Sequence, residues 1–313
     1  MARSYRVTCL TGCGTAPELM AEASRSLDAV SHLHGLRVEQ VHVPFGADAV
    51  VRGGHAVPHA ARAAYLGADA VLVADDGDDA LAELRSELDL RARQTRVRFG
   101  TRADLVLLSP LSSESAAWAV ERAFALARSR RGRLAVVADG PDWQEIVAHE
   151  TGRNPGVRVD LLDRVSAPAA AAFDAESFDV LVADHTLGDV LASLVGASSM
   201  PPRVAASGFL AEHGPPLFIP LHTGMAVDAG HGATDPSSML LAAAMLLGDG
   251  LGERGAADTL VGALAGALGD GIWSVDRLRA GVARTTREFT DSVLAGFQLA
   301  FTNAEFHPGV LAP

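Results

Sequence analysis

The chain predicts an α/β fold in which a sheet is covered by helices, and three observations lead there. Short apolar runs without polar alternation recur along it, as in strands buried on both faces. Stretches of helical character separate these runs, which is the rhythm of α/β architecture. Hydrophobic residues make up 49% of the 313, and mean hydropathy is +0.19, ample for a large core. The length suits one large domain or two of ordinary size.

Taken in order, Tyr5 to Leu10 reads as a buried strand running into the turn Thr11-Gly12-Cys13-Gly14-Thr15. Pro17 and Glu18 open a helix to about His34, with proline in the first turn and an acid at the positive end of the dipole. Arg37 to Val43 is a second strand, ended by Pro44 and Gly46. Pro58 starts a helix, and Asp69 to Val73 is a short apolar strand. The acidic run Asp75 to Asp79 reads as a loop before a helix from Ala80 to Leu88. Strands then follow at Leu105 to Leu108, Leu134 to Val137, Val157 to Leu162 and Phe178 to Val182. Helices separate them at Ala116 to Arg130, Trp143 to Thr151 and Ala167 to Phe173. Met200 to Pro220, rich in proline and glycine, reads as a crossing between lobes. Helices Pro236 to Leu251, Ala256 to Leu268 and Thr285 to Phe301 complete the chain, with a loosely held tail expected from Asn303 to Pro313.

Charge narrows the partners. A formal net charge of -12 and a pI of about 5.3 repel phosphate backbones, which argues against nucleic acid. The arginine-dense stretch from Arg128 to Arg133 reads as a solvated helix end complementing the dipole. Cys9 and Cys13 make no disulfide framework, and no uncharged apolar run reaches membrane-spanning length. With no signal-like region at its start, the chain is expected in the cytoplasm, away from membranes. All 26 residues in the Lys+Arg count are arginine, and the only tyrosines are Tyr5 and Tyr65. A guanidinium stays protonated near neutral pH, so Schiff-base chemistry, lysine bases and lysine-headed phosphate loops are excluded.

Five segments carry a family pattern. Leu10 to Glu18 is similar to a turn of the form L-P-G-D-G-I-G-P-E, and Pro44-Phe45-Gly46 is followed by Gly54 and Pro58 at matching spacing. Leu81 to Leu90 resembles the helix L-L-x-L-R-K-x-L-D-L. Phe178-Asp179-Val180 through Gly188-Asp189-Val190-Leu191 resembles F-D-V-x-V-x-x-N-x-F-G-D-I-L-S-D. Pro220-Leu221-His222 through Gly230-His231-Gly232 and Asp235-Pro236 resembles P-V-H-G-S-A-P-D-I-A-G-K-G-x-A-N-P. In this order they resemble the isopropylmalate and isocitrate dehydrogenases, the metal-dependent β-decarboxylating dehydrogenases. The resemblance implies a two-lobed fold, residues 1–90 and 199–313 forming a nucleotide-binding-like lobe and 91–198 an inserted, dimerisation-like lobe. It also implies a homodimer, a small carboxylic acid as ligand, NAD as cofactor and a divalent metal.

Carried over singly, the family's first substrate arginine falls on Arg85. The second falls near Thr95, or on Arg93 or Arg96 if the alignment slips, and the third on Ser109. The catalytic lysine maps to Asp139 or Gly140, and the tyrosine loop is cut short after Leu111. Of the metal aspartates one matches Asp189; the others fall on Ser193 and Val165, with Asp163 close by. Asp189, following Gly188 at a helix start, reads as an N-cap carboxylate ahead of a metal ligand. His185 beside Asp184 forms a candidate acid-base pair, and Cys13 near a helix N-terminus a candidate nucleophile. His222, Gly224, Gly230, Gly232 and Asp235 are the cofactor candidates, with Asp228 and Asp235 favouring NAD over NADP. Without lysine and two of the metal aspartates, ordinary oxidative decarboxylation lacks its base and its cation. Three readings follow: altered chemistry on a small carboxylate, a silent subunit or scaffold, and an NAD-dependent dehydrogenase with an unfamiliar base.

Overall fold

The computed structural model describes residues 3–74, 78–99, 103–137, 140–197, 203–221, 228–269, 272–274 and 282–306. The chain divides into two units, Met1–Leu88 with Gly214–Pro313, and Asp89–His213 inserted between them.

The first unit begins with β1 (Arg3–Leu10), α1 (Ala16–Leu33), β2 (Leu36–Val43), α2 (Gly46–Gly53), α3 (His59–Leu66), β3 (Ala70–Val73) and α4 (Asp78–Glu87). The second unit follows with β4 (Leu90–Phe99), β5 (Ala103–Pro110), α5 (Ala116–Ser129), β6 (Arg133–Val137), α6 (Pro141–Arg153), β7 (Arg158–Leu161), α7 (Ala167–Phe173), β8 (Val180–Ala183), α8 (His185–Ala197) and β9 (Arg203–Ala211). The chain then returns to the first unit with β10 (Leu217–Pro220), α9 (Ser237–Met245), α10 (Arg254–Gly269), β11 (Ile272–Ser274), β12 (Val282–Arg284) and α11 (Thr286–Phe306).

In the first unit the strands run in the order β2-β1-β3-β10, and all of their pairings are parallel. The residues explain this. Val7 to Leu10 and all of β3 are buried on both faces, as expected of strands covered by helices on each side. Every residue of α9 is buried: after Ser237 and Ser238 it is leucine, methionine and alanine alone, with no polar face to give to water. α11 opens with a reciprocal capping box. The Thr285 N–H donates to the Glu288 carboxylate at 3.0 Å, and the Glu288 N–H donates to Thr285 Oγ1 at 3.2 Å.

In the second unit the order is β9-β4-β5-β8-β6-β7, antiparallel across β9-β4-β5 and parallel beyond. One face of its core joins Val106, Leu108, Phe124, Leu134, Val136 and Val180 beneath α5 and α6. Among the described residues no helix is long and apolar enough to cross a membrane.

Three local expectations are corrected. The proline-rich stretch from Met200 to Pro220 contains β9 and β10, and the chain returns to the first unit at Gly214 rather than 199. The reason is pairing: β9 runs along β4 from Phe99↔Arg203 to Leu90↔Ala211, burying Val204, Phe209 and Leu210, while the prolines lie only at its ends. β4 itself is a strand that its many arginines disguise. Arg130 is not a solvated helix end. It turns inward from the end of α5, donating to Asp179 from Nε at 2.8 Å and to Asp104 from Nη2 at 2.9 Å. Asp179, from the Phe178-Asp179-Val180 motif, is thus a structural anchor, 1% exposed, that also accepts the Arg131 backbone N–H at 2.9 Å.

Candidate functional site

In the second unit the site grows from the junction of β8 and α8. Asp184 follows β8 and caps α8: its Oδ1 accepts the N–H of Thr186 at 2.9 Å and of Leu187 at 3.0 Å. The Thr186 hydroxyl donates to the same oxygen at 2.6 Å, and Arg164 pairs with the other. Burial works to raise this carboxyl's pKa, but the Thr186 and Leu187 hydrogen bonds and the Arg164 charge prevail, holding it below the usual carboxylate range. Asp184 is therefore committed to the helix start, and His185 is the exposed first residue of α8. The expected acid-base pair of Asp184 and His185 is not built, because the carboxylate faces the helix amides.

Asp189 lies inside α8, past its first turn, and is not the N-cap. Gly188 is a packing residue: a Cβ added there would stand 2.2 Å from the Cβ of Ser109, so only glycine lets α8 approach the end of β5 so closely. The strand register sets Arg93 beside Ser109 on one side and Phe209 on the other. Arg93 donates from Nη1 to Asp189 at 2.8 Å and from Nε to the Ser207 hydroxyl at 3.1 Å. Its guanidinium carbon lies 5.8 Å from the centre of the Phe209 ring, within cation-π range. Thr95 and Ser207 share a hydrogen bond of 2.9 Å behind it.

Arg93 and Arg96 are thereby separated. Three apart on a strand, they project from opposite faces. Arg96 pairs with Asp104 at 2.7 Å, in the cluster with Arg130, and so belongs to the framework. Sequence reasoning missed Ser207 and Phe209, since their strand was read as a crossing, and Arg164, which carries no motif.

The first unit holds the remaining candidates. Arg85 is half-buried on α4. Near it in sequence, Glu87 accepts the Tyr65 hydroxyl and pairs with Arg62 at 2.8 Å, and Asp89 pairs with Arg91 at 3.3 Å. Cys13 is exposed in its turn, whose carbonyl accepts the Ala16 N–H at 3.0 Å; Cys9 is buried, and burial pushes its thiol up to about 12. His222 and Gly224 lie outside the described residues. Gly230 has a φ of 80°, a left-handed turn, and its N–H donates to the Glu18 carboxylate. Gly232 accepts the Thr286 N–H at 2.8 Å, tying this turn to the start of α11. A cavity of about 410 Å³ lies there, lined by Glu18, Glu22, Gly232, Thr285 and Arg287 among others. Asp235 is turned inward: it is 8% exposed and accepts the Ser237 N–H at 2.8 Å, so its carboxylate serves the start of α9.

The donor set at the expected metal positions does not fit a divalent cation. Asp189 is ion-paired, the Ser193 hydroxyl donates to the Asp189 carbonyl at 3.0 Å, and Val165 is apolar. Asp163 accepts the N–H of Val165 at 2.9 Å and of Ser166 at 2.8 Å in a local turn. Among the described residues no group of three or more His, Cys, Asp or Glu is placed to hold a metal, whereas a hard cation needs several oxygens at once.

Residues 91–293 match the family model for isocitrate/isopropylmalate dehydrogenase. A 3-isopropylmalate dehydrogenase from Leifsonia xyli subsp. xyli is 30% identical, over 94% of this chain and 99% of that protein. One from Streptococcus mutans is 27% identical, over 93% and 99%. Among solved structures, a beta-decarboxylating dehydrogenase from Thermococcus kodakarensis aligns with a TM-score of 0.82 at 22% identity, covering 96% of this chain and 98% of that one. Isocitrate dehydrogenase from Methylococcus capsulatus aligns at 0.76 and 18%, covering 94% and 99%. Order of elements, inserted unit, family model and full-length relatives agree: the chain belongs to the isocitrate/isopropylmalate dehydrogenase family of oxidoreductases.

Proposed function

We propose that this protein binds a small carboxylic acid and has departed from metal-dependent oxidative decarboxylation. The observation that carries the reading is the setting of Arg93. A mostly buried guanidinium, oriented by Ser207 and the Phe209 ring, already holds one carboxylate, that of Asp189. A planar fork fixed in this way is suited to carboxylate recognition. The chemistry on such an acid would differ from the family's, because a chain without lysine offers no amine base. Small acids such as malate and isocitrate should raise the melting temperature of the purified protein, and Arg93→Ala should abolish the shift. Arg85→Ala is the parallel test for the first unit. A shift that survives both substitutions, or no shift with any acid, removes the reading.

NAD is the cofactor we assign to the turn at Gly230 and Gly232 beside the 410 Å³ cavity, where its phosphates would have to displace the Glu18 carboxylate from the Gly230 N–H. It would supply a hydride acceptor. With Asp235 turned inward, a preference over NADP rests on Asp228 alone. We place the protein in the cytoplasm as a homodimer. Leu161, Val165 and Phe173 stand 75%, 89% and 90% exposed on the second unit, and a second copy is the partner we assign to these apolar side chains. Sedimentation should give a dimer that Phe173→Glu weakens.

A further inference from the structure

We infer that Asp189 is an internal occupant of the Arg93 anion seat, which an incoming carboxylate must displace, and not a ligand for a metal. The inference rests on the proposed carboxylate binding but depends on a different atom. The contact is asymmetric. Arg93 is 14% exposed and is fixed by its strand, by Ser207 and by the Phe209 ring; Asp189 is 73% exposed and touches the seat from the solvent side of α8. The guanidinium therefore stays when the pair opens, while the aspartate is readily solvated. A mostly buried cation left alone is costly, so an opened seat favours any carboxylate that fits it. At the family's metal-aspartate position this side chain thus competes with the ligand, and so sets how strong an acid ligand must be to enter.

The test is calorimetry with L-malate on the full chain at low salt, with and without Mg²⁺. Asp189→Asn should bind malate roughly fivefold more tightly than wild type, the factor corresponding to an exposed ion pair of about 1 kcal/mol. Asp189→Ser should do the same, which guards against an effect of the amide itself. Arg93→Ala combined with Asp189→Asn should lose the gain. Glu145→Gln, which removes an exposed charge on α6, should show none, separating the seat from net charge. Equal or weaker malate binding by Asp189→Asn overturns the inference, as does a gain that persists without Arg93. Mg²⁺-enhanced binding in wild type that Asp189→Asn abolishes also overturns it and restores the metal role. The two readings fail separately. A wild-type shift lost in Arg93→Ala but indifferent to Asp189 sinks only the occupant idea. A gain in Asp189→Asn with no wild-type binding leaves the occupant idea standing and sinks the ligand assignment.

Discussion

Arg93 and Arg96 leave the same strand three residues apart and meet aspartates on opposite faces, with opposite consequences. Arg96 enters a closed cluster in which Asp104 is also bound by Arg130, and Arg130 in turn by Asp179. Arg93 meets one exposed carboxylate at the rim. The first arrangement satisfies buried charges several times over and so holds the framework; the second is a single pair whose carboxylate stands in water, the pair proposed above as an anion seat. What separates structure from site here is not residue type but the number of partners and their access to water.

Breaking the closed cluster should have the largest effect. Asp179→Ala leaves Arg130 short of a partner while only 18% exposed, and removes the anchor of the Arg131 amide. Loss of one member of a buried pair costs roughly 3 kcal/mol or more, so urea unfolding should show a drop of that order. A change below about 1 kcal/mol would mean that water reaches the cluster and that the two arginines do not differ in this way.

Acid should expose the same difference. Burial of Asp104 works to raise its pKa, but the hydrogen bond from Arg130 and the charges of Arg96 and Arg130 overcome it and hold the carboxyl well below the usual range. A carboxyl depressed in the folded state contributes stability that is complete above its unfolded value, near pH 4, and is lost as pH falls toward the folded one. The urea midpoint should therefore decline steeply below about pH 4, and Asp104→Asn should be less stable at neutral pH with a shallower decline. Parallel curves for wild type and variant would remove Asp104 from the account.

Asp184 is intermediate, because its cap is local while Arg164 is partly exposed. Asp184→Ala should cost about 1 to 2 kcal/mol, the range for an N-cap, and hydrogen exchange should quicken in the first turn of α8. Protection unchanged there would show that α8 holds its start without the cap.

How far the sequence foretold this follows from the same physics. Strands such as β3 and β8 were legible because burial on both faces leaves only apolar residues. β4 was not, since Arg93 and Arg96 find their partners on α8 and on the neighbouring strands β9 and β5, which no local pattern records. With the strand unseen, nothing could place Arg93 and Arg96 on opposite faces, so which of the two the family pattern points to stayed ambiguous. The start of α8 was misplaced by about one turn because Gly188 looked like a boundary. Its glycine is required instead by Ser109, a residue far away in sequence. The family motifs were legible throughout, but whether an aspartate within them anchors, caps or stands exposed against an arginine depended on contacts that only the fold supplies: Asp179, Asp184 and Asp189 divide those three roles among them.

The smallest expected effect is the most discriminating. Asp189→Asn should change unfolding stability by no more than about 1 kcal/mol, the strength of one exposed pair, since its carboxylate is largely in water and Arg93 keeps Ser207 and Phe209. Whatever change occurs should vanish in high salt, because an exposed pair is screened once the Debye length falls to about 3 Å near 1 M. Asp179→Ala, by contrast, should keep most of its deficit at that ionic strength, its charges being shielded from the solvent ions. A salt-insensitive loss of several kcal/mol in Asp189→Asn would place that pair in the framework with Arg96, and the rim of α8 would then hold a second anchor rather than a seat.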